Sequence, residues 1–413
     1  MANNRIIYQS DALYASRNVR SVDSGDHVQL RRIQSANYSF TVNRQDVNQF
    51  GQLSRIDSII LETPTVSFDT TYLLGDGFNE QALNFANSAD LDKGFISGQI
   101  ESTSGINLYI ISAKEGVDIN TIAQPANNAF STIGMGNMFL TDYTVEASVG
   151  SLPTVTCSFE GINMNATANV TGTSSGFFRI SGVGVDPKDG TVLPEFTRSV
   201  VAAGLPHTGV TLPPPSQSVS ASAGPTSIPS ALRPGDIQFT LSGANDDTIV
   251  NIGGGNDTAH VQSVSLSIPM SRTPIERLGT RFAYSRVVDF PIVPTLSVSA
   301  IVNETQTRAL TNITASDDFI PFLQIQFNDS DPDSTPRARY KMSNVKLDSE
   351  SFSSSIGPNK AVDLSFSVSI GGPSDLNNNI FFSGSNTGEV FQVTGDQASV
   401  GLGNARFGAP GID

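Results

Sequence analysis

Three histidines, one cysteine and a scatter of carboxylates are what this chain offers for acid–base, nucleophilic or metal chemistry. His27, His207 and His260 have no carboxylate or cysteine at metal-ligand spacing. Triads assemble in space, so spacing alone does not exclude a nucleophile with its base, but the elbow and phosphate-loop motifs that would point to one are absent. The histidines read as solvated or capping imidazoles, His27 and His207 in loops and His260 at the start of a strand. Cys157 stands where a small apolar residue would serve and reads as a buried thiol. Asp329, Asp331 and Asp333 have the alternating spacing with which calcium loops begin, yet Ser334 occupies the turn glycine and Tyr340 the bidentate glutamate. The stretch from Gly243 to Val261 holds at most two imperfect units of a Gly- and Asp-rich calcium roll. Both acidic stretches read as polar turns between strands. No catalytic residue, metal or cofactor is expected, and the chain is not expected to be an enzyme.

Arg44 and Arg272 stand apart, because the sequence around them occurs twice. Between Arg31 and Gly51, and again between His260 and Gly279, Gln34, Ser35, Ser39, Arg44 and Gly51 fall on Gln262, Ser263, Ser267, Arg272 and Gly279, a constant offset of 228 positions, as from Gln34 to Gln262. Ile33, Tyr38, Phe40 and Val42 lie over Val261, Leu266, Ile268 and Met270. An arginine kept in both copies, beside a loop that ends in glycine, suits either a salt bridge or cap within its domain or a bidentate contact to a carboxylate on a neighbouring domain. The candidate contacts are Arg44, Asp46, Gly51 and Arg55 in the first copy and Arg272, Glu276, Gly279 and Arg286 in the second.

The elements that must position these residues are strands. Ala36, Tyr38, Phe40 and Val42 alternate with Asn37, Ser39, Thr41 and Asn43, the period of a half-buried strand, and Val264, Leu266, Ile268 and Met270 alternate in phase. Both apolar sets are expected on a core. Ser54-Arg55-Ile56 matches Ser285-Arg286-Val287, leading to Pro64 and Pro294, whose own offset of 230 implies a two-residue insertion. Asn79 to Ala89 predicts a helix, with Arg308 to Asn312 as its counterpart. Ile106 to Ala113 pairs with Phe322 to Phe327 as strands, and Leu140, Tyr143 and Val145 lie over Met342, Val345 and Leu347. Hairpins through Gly150–Pro153 and Gly357–Lys360 lead on, with Cys157 over Leu364 and Phe159 over Phe366. Arg5 to Tyr14 and Asp236 to Gly243 predict an opening strand in each copy. The repeat cores run over 31–161 and 260–371. Domain boundaries follow: 1–203, a Pro/Ser-rich linker over 204–235, and 236–413 ending in a Gly/Asn-rich tail.

Composition agrees with β structure. Of the 413 residues only 15% are charged, well under the usual quarter. Ser, Thr, Asn and Gly, which solvate strand faces and fill turns, take their place. The formal net charge of −15 argues against sequence-specific binding of nucleic acid, whose affinity comes largely from cations on phosphate. It does not exclude a surface that DNA slides past. No stretch approaches the roughly 20 apolar residues of a membrane-spanning helix, and no signal segment is evident, so the chain is expected to be made and kept in cytoplasm, or assembled there into something larger.

The strand from Ile33 to Val42 running into Asn43–Gly51, its degraded copy Ser271–Gly279, and the order strand, short helix, strand, hairpin resemble a bacteriophage tail tube protein. The resemblance implies a small β-sandwich or partly closed barrel with one flanking α-helix, self-associated into six-fold rings that stack into a hollow tube for DNA. That family commonly has one domain per chain. Two tandem domains imply a ring of three chains, a pseudo-hexamer within a virion tail. The partners implied are further copies and other tail proteins at the terminator, baseplate or distal end, or a sheath. An acidic lumen would keep DNA phosphates from sticking. Two other classes are weighed against this one. A β-sandwich adhesin, glycan-binding or decoration protein would show clustered aromatics, and Trp is absent. A hydrolase would need a carboxylate pair, and none stands out.

Overall fold

The computed structural model describes residues 11–16, 24–60, 64–75, 77–85, 94–113, 119, 129–171, 178–180, 183–185, 192–193, 210–213, 237–242, 248–252, 259–278, 283, 285–302, 320–327, 338–353, 361–373, 375 and 377–384. The first half contains β1 (Asp11–Ser16), β2 (His27–Gln29), β3 (Ile33–Thr41), β4 (Arg44–Val47), β5 (Asp57–Ile60), β6 (Thr65–Leu73), β7 (Ile106–Ser112), β8 (Ala129–Ser148), β9 (Thr154–Gly161) and β10 (Asn163–Thr171). Two five-residue helices, α1 (Phe78–Ala82) and α2 (Ser97–Glu101), lie between β6 and β7. Short strands β11 (Phe178–Ile180), β12 (Gly184–Val185), β13 (Val192–Leu193) and β14 (Val210–Leu212) follow. The second half contains β15 (Ile237–Ser242), β16 (Thr248–Ile252), β17 (Ala259–Pro269), β18 (Arg272–Ile275), β19 (Ser285–Val288), β20 (Thr295–Val302), β21 (Ile320–Phe327), β22 (Ala338–Ser353), β23 (Ala361–Ser367) and β24 (Ile380–Gly384).

The architecture is mainly β, as composition indicated, and its described helices are short. One wide antiparallel sheet runs β3-β6-β9-β8-β17-β20-β23-β22. Strands β8 and β22 are too long for one sheet and each bends into a second. The early part of β8 joins β7, β1, β2 and β10, and the early part of β22 joins β21, β15, β16 and β24. The bend has the same chemistry in both strands. Asn137 and Asn344 have left-handed backbone, φ 52 and φ 62, a conformation that asparagine tolerates better than other side-chain-bearing residues. Asn137 is fully buried and satisfied: its amide bonds Ser104 O and Val185 O at 2.9 Å each, and its Oδ1 accepts from Val185 N at 2.6 Å.

Apolar side chains from the inner faces of these sheets merge into one core. Leu13, Phe68, Tyr72, Leu108 and Phe159 from the first half share it with Leu266, Leu296, Tyr340, Phe366 and Phe382 from the second. A second cluster covers the other side of the β1–β7 sheet, where Tyr14 and Tyr109 meet Val183, Val210 and Leu212. Residues 210–212, assigned to the linker on composition, therefore form a strand with a buried face, and Tyr14 donates to Pro213 O at 3.2 Å. Ile380–Gly384, assigned to the tail, is a strand paired with β22.

Every strand from β1 to β10 has a counterpart from β15 to β24 in the same order and, apart from the β8–β17 pair, with the same neighbours. The ladders correct the register expected from the sequence. Tyr38 faces Phe68 and Leu266 faces Leu296, with a bulge at Ile33/Ser35 and at Val261/Ser263, so the offset stays at 228 through β6 and β20, without a two-residue insertion. Hairpins β4–β5 and β18–β19 keep it too, which puts Arg286 over Ser58 and not Arg55. On the other strands Leu140 faces Phe159 and Leu347 faces Phe366, an offset of 207, with the bulge at Leu140/Asp142 and at Leu347/Ser349. Tyr143 then corresponds to Glu350 and Val145 to Phe352; the match of Leu140 to Met342 was out of register.

Other expectations divide. The helix read over Asn79–Ala89 ends at Ala82, followed by Asn84 in left-handed backbone at φ 67; residues 86–89 and Arg308–Asn312 lie outside the described residues. Cys157 is buried and free. His27 is not a solvated loop residue: it opens β2, is 2% exposed, and its ring lies 5.8 Å from that of Tyr109. His260 lies in β17, and His207 is outside the described residues. Part of the acidic stretch 243–261 is strand β16, and the loop around Asp329–Asp333 is outside the described residues. No helix among the described residues is long and apolar enough to cross a membrane.

Candidate assembly interface

The joint between β8 and β17 fuses the two halves into one sheet, and the sequence explains why it is dry. On its inner face Val264 opposes Ala147, Leu266 opposes Val145 and Ile268 opposes Tyr143, and all six are at most 5% exposed. Backbone bonds extend the ladder past both ends, from Val149 N to Gln262 O at 2.9 Å and from Met270 N to Thr141 O at 2.8 Å. On the outer face, Ser267 Oγ and Thr144 Oγ1 donate to the Asp142 carboxylate at 3.3 and 2.8 Å.

Above the joint, α1, α2 and their flanks bind both halves. Phe95 stacks on Phe85 at 4.9 Å and meets Tyr143, Tyr340 and Phe382 at 5.2, 5.8 and 5.1 Å. Phe95 N donates to Ile380 O at 2.7 Å and Gly94 N to Pro373 O at 3.0 Å. Beneath them lies a buried polar cluster. The Glu80 carboxylate accepts from Tyr72 at 2.9 Å and Tyr143 at 3.3 Å, and the Tyr143 and Tyr340 hydroxyls share a 2.7 Å bond. Burial is the first cause that pushes the phenols of Tyr72, Tyr143 and Tyr340 well above their ordinary range, with negative charge at Glu80 adding to it. No local pattern in the sequence points to this cluster, because its members come from three strands and a helix far apart in the chain.

The eight candidate contacts fall into two groups. Arg272 and Arg286 lie against the first half: Arg272 donates to Gln99 O at 2.6 Å with its guanidinium 4.8 Å from the Phe139 ring, and Arg286 pairs with Glu160 at 2.7 Å. Burial, then the neighbouring Arg286 charge, lowers the pKa of Arg272 to about 10. In the first copy Arg44, which corresponds to Arg272, and Arg55, which corresponds to neither, lie differently. Arg44 is exposed, and Arg55 pairs with Asp46 at 2.9 Å inside its own hairpin, both partners open to solvent. Gly51 has φ 87 with open space around it, Glu276 is exposed, and Gly279 lies outside the described residues. Both hairpin tips carry bare apolar side chains, Phe50 and Leu53 on one and Leu278 on the other.

The same asymmetry appears at the outer edges of the wide sheet. Among the described residues β3 pairs only with β6, and the later part of β22 only with β23. Tyr38 and Phe40, expected on a core, are 44% and 47% exposed, and Phe352 is 55% exposed. Their positional counterparts Leu266, Ile268 and Val145 are buried. The outer face of the sheet is largely polar, built from Ser and Thr with Asp69, Asp142, Glu146, Glu160 and Asp363, with Lys346 among them and Leu73 and Ile301 as half-buried apolar exceptions.

No family model matches the chain, and no curated protein matches it. Among solved structures, it is similar to the tail of an empty gene transfer agent particle with C6 symmetry, at 13% identity over 33% of this chain and 92% of that one, TM-score 0.23. It is similar to the SPP1 tail tube at 10% identity over 42% of this chain and 97% of that one, TM-score 0.27. A third similar structure is the cap that terminates the tube of the anti-feeding prophage, at 9% identity over 40% of this chain and 100% of that one, TM-score 0.27.

Proposed function

We propose that this chain is a non-enzymatic structural protein of a phage tail tube, carrying two tandem tube domains, three copies of which close into a pseudo-hexameric ring that stacks on others around a channel for DNA. The observation that carries the reading is the β8–β17 joint. It is a head-to-tail contact between two units of the same strand order, and it leaves open at the sheet's ends one edge of each kind it uses. Contacts of that heterologous type generate rings when the rotation closes. Three chains supply six such units.

The polar outer face supports the role of channel wall. Its carboxylates repel phosphate and its neutral hydroxyls offer no cation to hold it, so a duplex would pass without breaking many ion pairs. The exposed hairpin tips suit contacts between stacked rings or with other tail proteins. The domain division 1–203 and 236–413, and the location in a virion tail, belong to the same proposal.

Negative-stain images of the purified full chain, combined with the mass of its smallest closed assembly, test it. Rings with a central hole and a mass three times the 43.7 kDa chain are expected. Compact monomers at every concentration would overturn the reading, and salt-sensitive retention of DNA would overturn the acidic wall.

A further inference from the structure

The β8–β17 joint predicts, residue by residue, what the open edges of the sheet bind. We infer that β3 takes the later part of β22 from a second copy of this chain, in the register by which β17 takes β8. The inference rests on the ring reading and names its seam.

The register follows from the two offsets. Leu266 opposes Val145, Ser267 opposes Thr144 and Ile268 opposes Tyr143. Carrying β17 back by 228 and β8 forward by 207 places Tyr38 opposite Phe352, Ser39 opposite Ser351 and Phe40 opposite Glu350 of the second copy, with Asn37 and Ser353 on one side and Thr41 and Ser349 on the other. Both offsets are fixed by ladders that share even their bulges. A slip by one residue would turn every side chain of the added strand to the wrong face.

Exposure points to the same place independently. Tyr38, Phe40 and Phe352 are large apolar residues left about half bare on the core side of the sheet. At the joint within the chain, the residues in those positions are covered by the opposing strand. An added strand would cover all three and set Tyr38 against Phe352, an aromatic pair of the kind that stabilises neighbouring strands. The seam is also chemically leaner than the internal joint. Three buried apolar pairs hold β8 to β17, whereas the transposed seam has one aromatic pair, one Phe facing a carboxylate, Ala36 in the place of Val264, and otherwise Ser, Thr and Asn. The chain is thus built to fold before it assembles, and an edge strand dotted with polar residues resists indiscriminate pairing.

Paired cysteines in the full chain test the register. Directly opposed residues of antiparallel strands lie within the span a disulfide bridges. With Ser39→Cys and Ser351→Cys together, mild oxidation of the assembled protein is expected to link chains into dimers and trimers that separate on reduction. Ser39→Cys with Ser349→Cys, two residues out of register, is expected to give no such ladder. Cys157 is fully buried and present in both. Rings that form without the 39–351 link, or with the 39–349 link in its place, overturn the seam and leave the ring reading standing. A chain that never associates overturns the ring reading as well. Should the paired cysteines block assembly, Phe352→Asp decides. It is expected to leave the melting of the single chain unchanged and to raise the concentration needed for assembly about tenfold or more, since it would put a carboxylate opposite Tyr38. Unimpaired assembly of that variant overturns the seam.

Discussion

Tyr143 and Tyr340, 197 positions apart in sequence, share a 2.7 Å hydrogen bond beneath Phe95, so the two halves of the chain meet in a polar contact inside an apolar core. Tyr340→Phe keeps the ring packing and removes that bond, while Tyr143 retains the Glu80 carboxylate at 3.3 Å. A loss of about 1 to 2 kcal/mol in unfolding free energy is expected. The urea midpoint of the variant checks it, and an unchanged midpoint would show that the bond contributes nothing net.

Alkaline pH should find this cluster and the buried tyrosines of the second one. Burial raises the phenol pKa of Tyr14, Tyr72, Tyr109, Tyr143 and Tyr340, five of the eight tyrosines. A raised acid pKa means that the folded chain holds its protons where the unfolded chain has lost them. The stabilisation is therefore complete below the unfolded value near 10 and is lost as pH climbs above it. Ultraviolet titration is expected to show tyrosinate absorbance arriving in two stages, the second coinciding with loss of folded structure. A single smooth rise without unfolding would contradict it.

Arg44 and Arg272 occupy corresponding positions but should respond differently to alanine. Arg272 is largely buried, bonded to Gln99 O and over the Phe139 ring, so Arg272→Ala is expected to cost about 1 to 3 kcal/mol in the single chain. Arg44 is exposed, and Arg44→Ala is expected to change stability by no more than about 0.5 kcal/mol. Denaturation of both variants below the concentration of assembly measures the difference. Equal effects would remove the asymmetry between hairpins.

Asn137 tests the bend of β8. Glycine there keeps the left-handed backbone but loses the side-chain bonds to Ser104 and Val185, whereas alanine adds strain to the same loss. Both should destabilise, Asn137→Ala by about 1 kcal/mol more than Asn137→Gly. Melting temperatures of the two, compared with each other, isolate the backbone contribution, and an alanine variant as stable as the glycine one would refute it.

Much of the fold was legible because strands advertise themselves through alternation, and the offset at Gln34 and Gln262 was right. The slip from 228 to 230 at Pro64 and Pro294 was invisible for a physical reason. It is an even number, and a two-residue shift leaves every side chain on its proper face. The misplacement of Val145 over Leu347 has another origin. Matching apolar residues follows burial, and β8 is covered by β17 while the corresponding part of β22 is not, so its sequence turns polar as KLDSES. The exposure of Tyr38 and Phe40 has the same root. Alternation reports which face of a strand prefers to be dry, not whether one chain supplies the cover. The Glu80 cluster was illegible, since no local pattern brings a helix carboxylate under tyrosines from β6, β8 and β22.

The tether between β8 and β17, residues 149 to 258, has a consequence for the order of events. Closing a loop costs more only with the logarithm of its length, so a connection of this size still presents one edge to the other at a far higher effective concentration than separate molecules would meet in dilute solution. The internal joint is accordingly first-order and insensitive to how much protein has been made. In the proposed ring, seams between copies would be second-order and wait for a threshold. A chain of this design keeps its driest surface covered from the moment it folds, and the timing of assembly passes to the few aromatic residues left at its two edges.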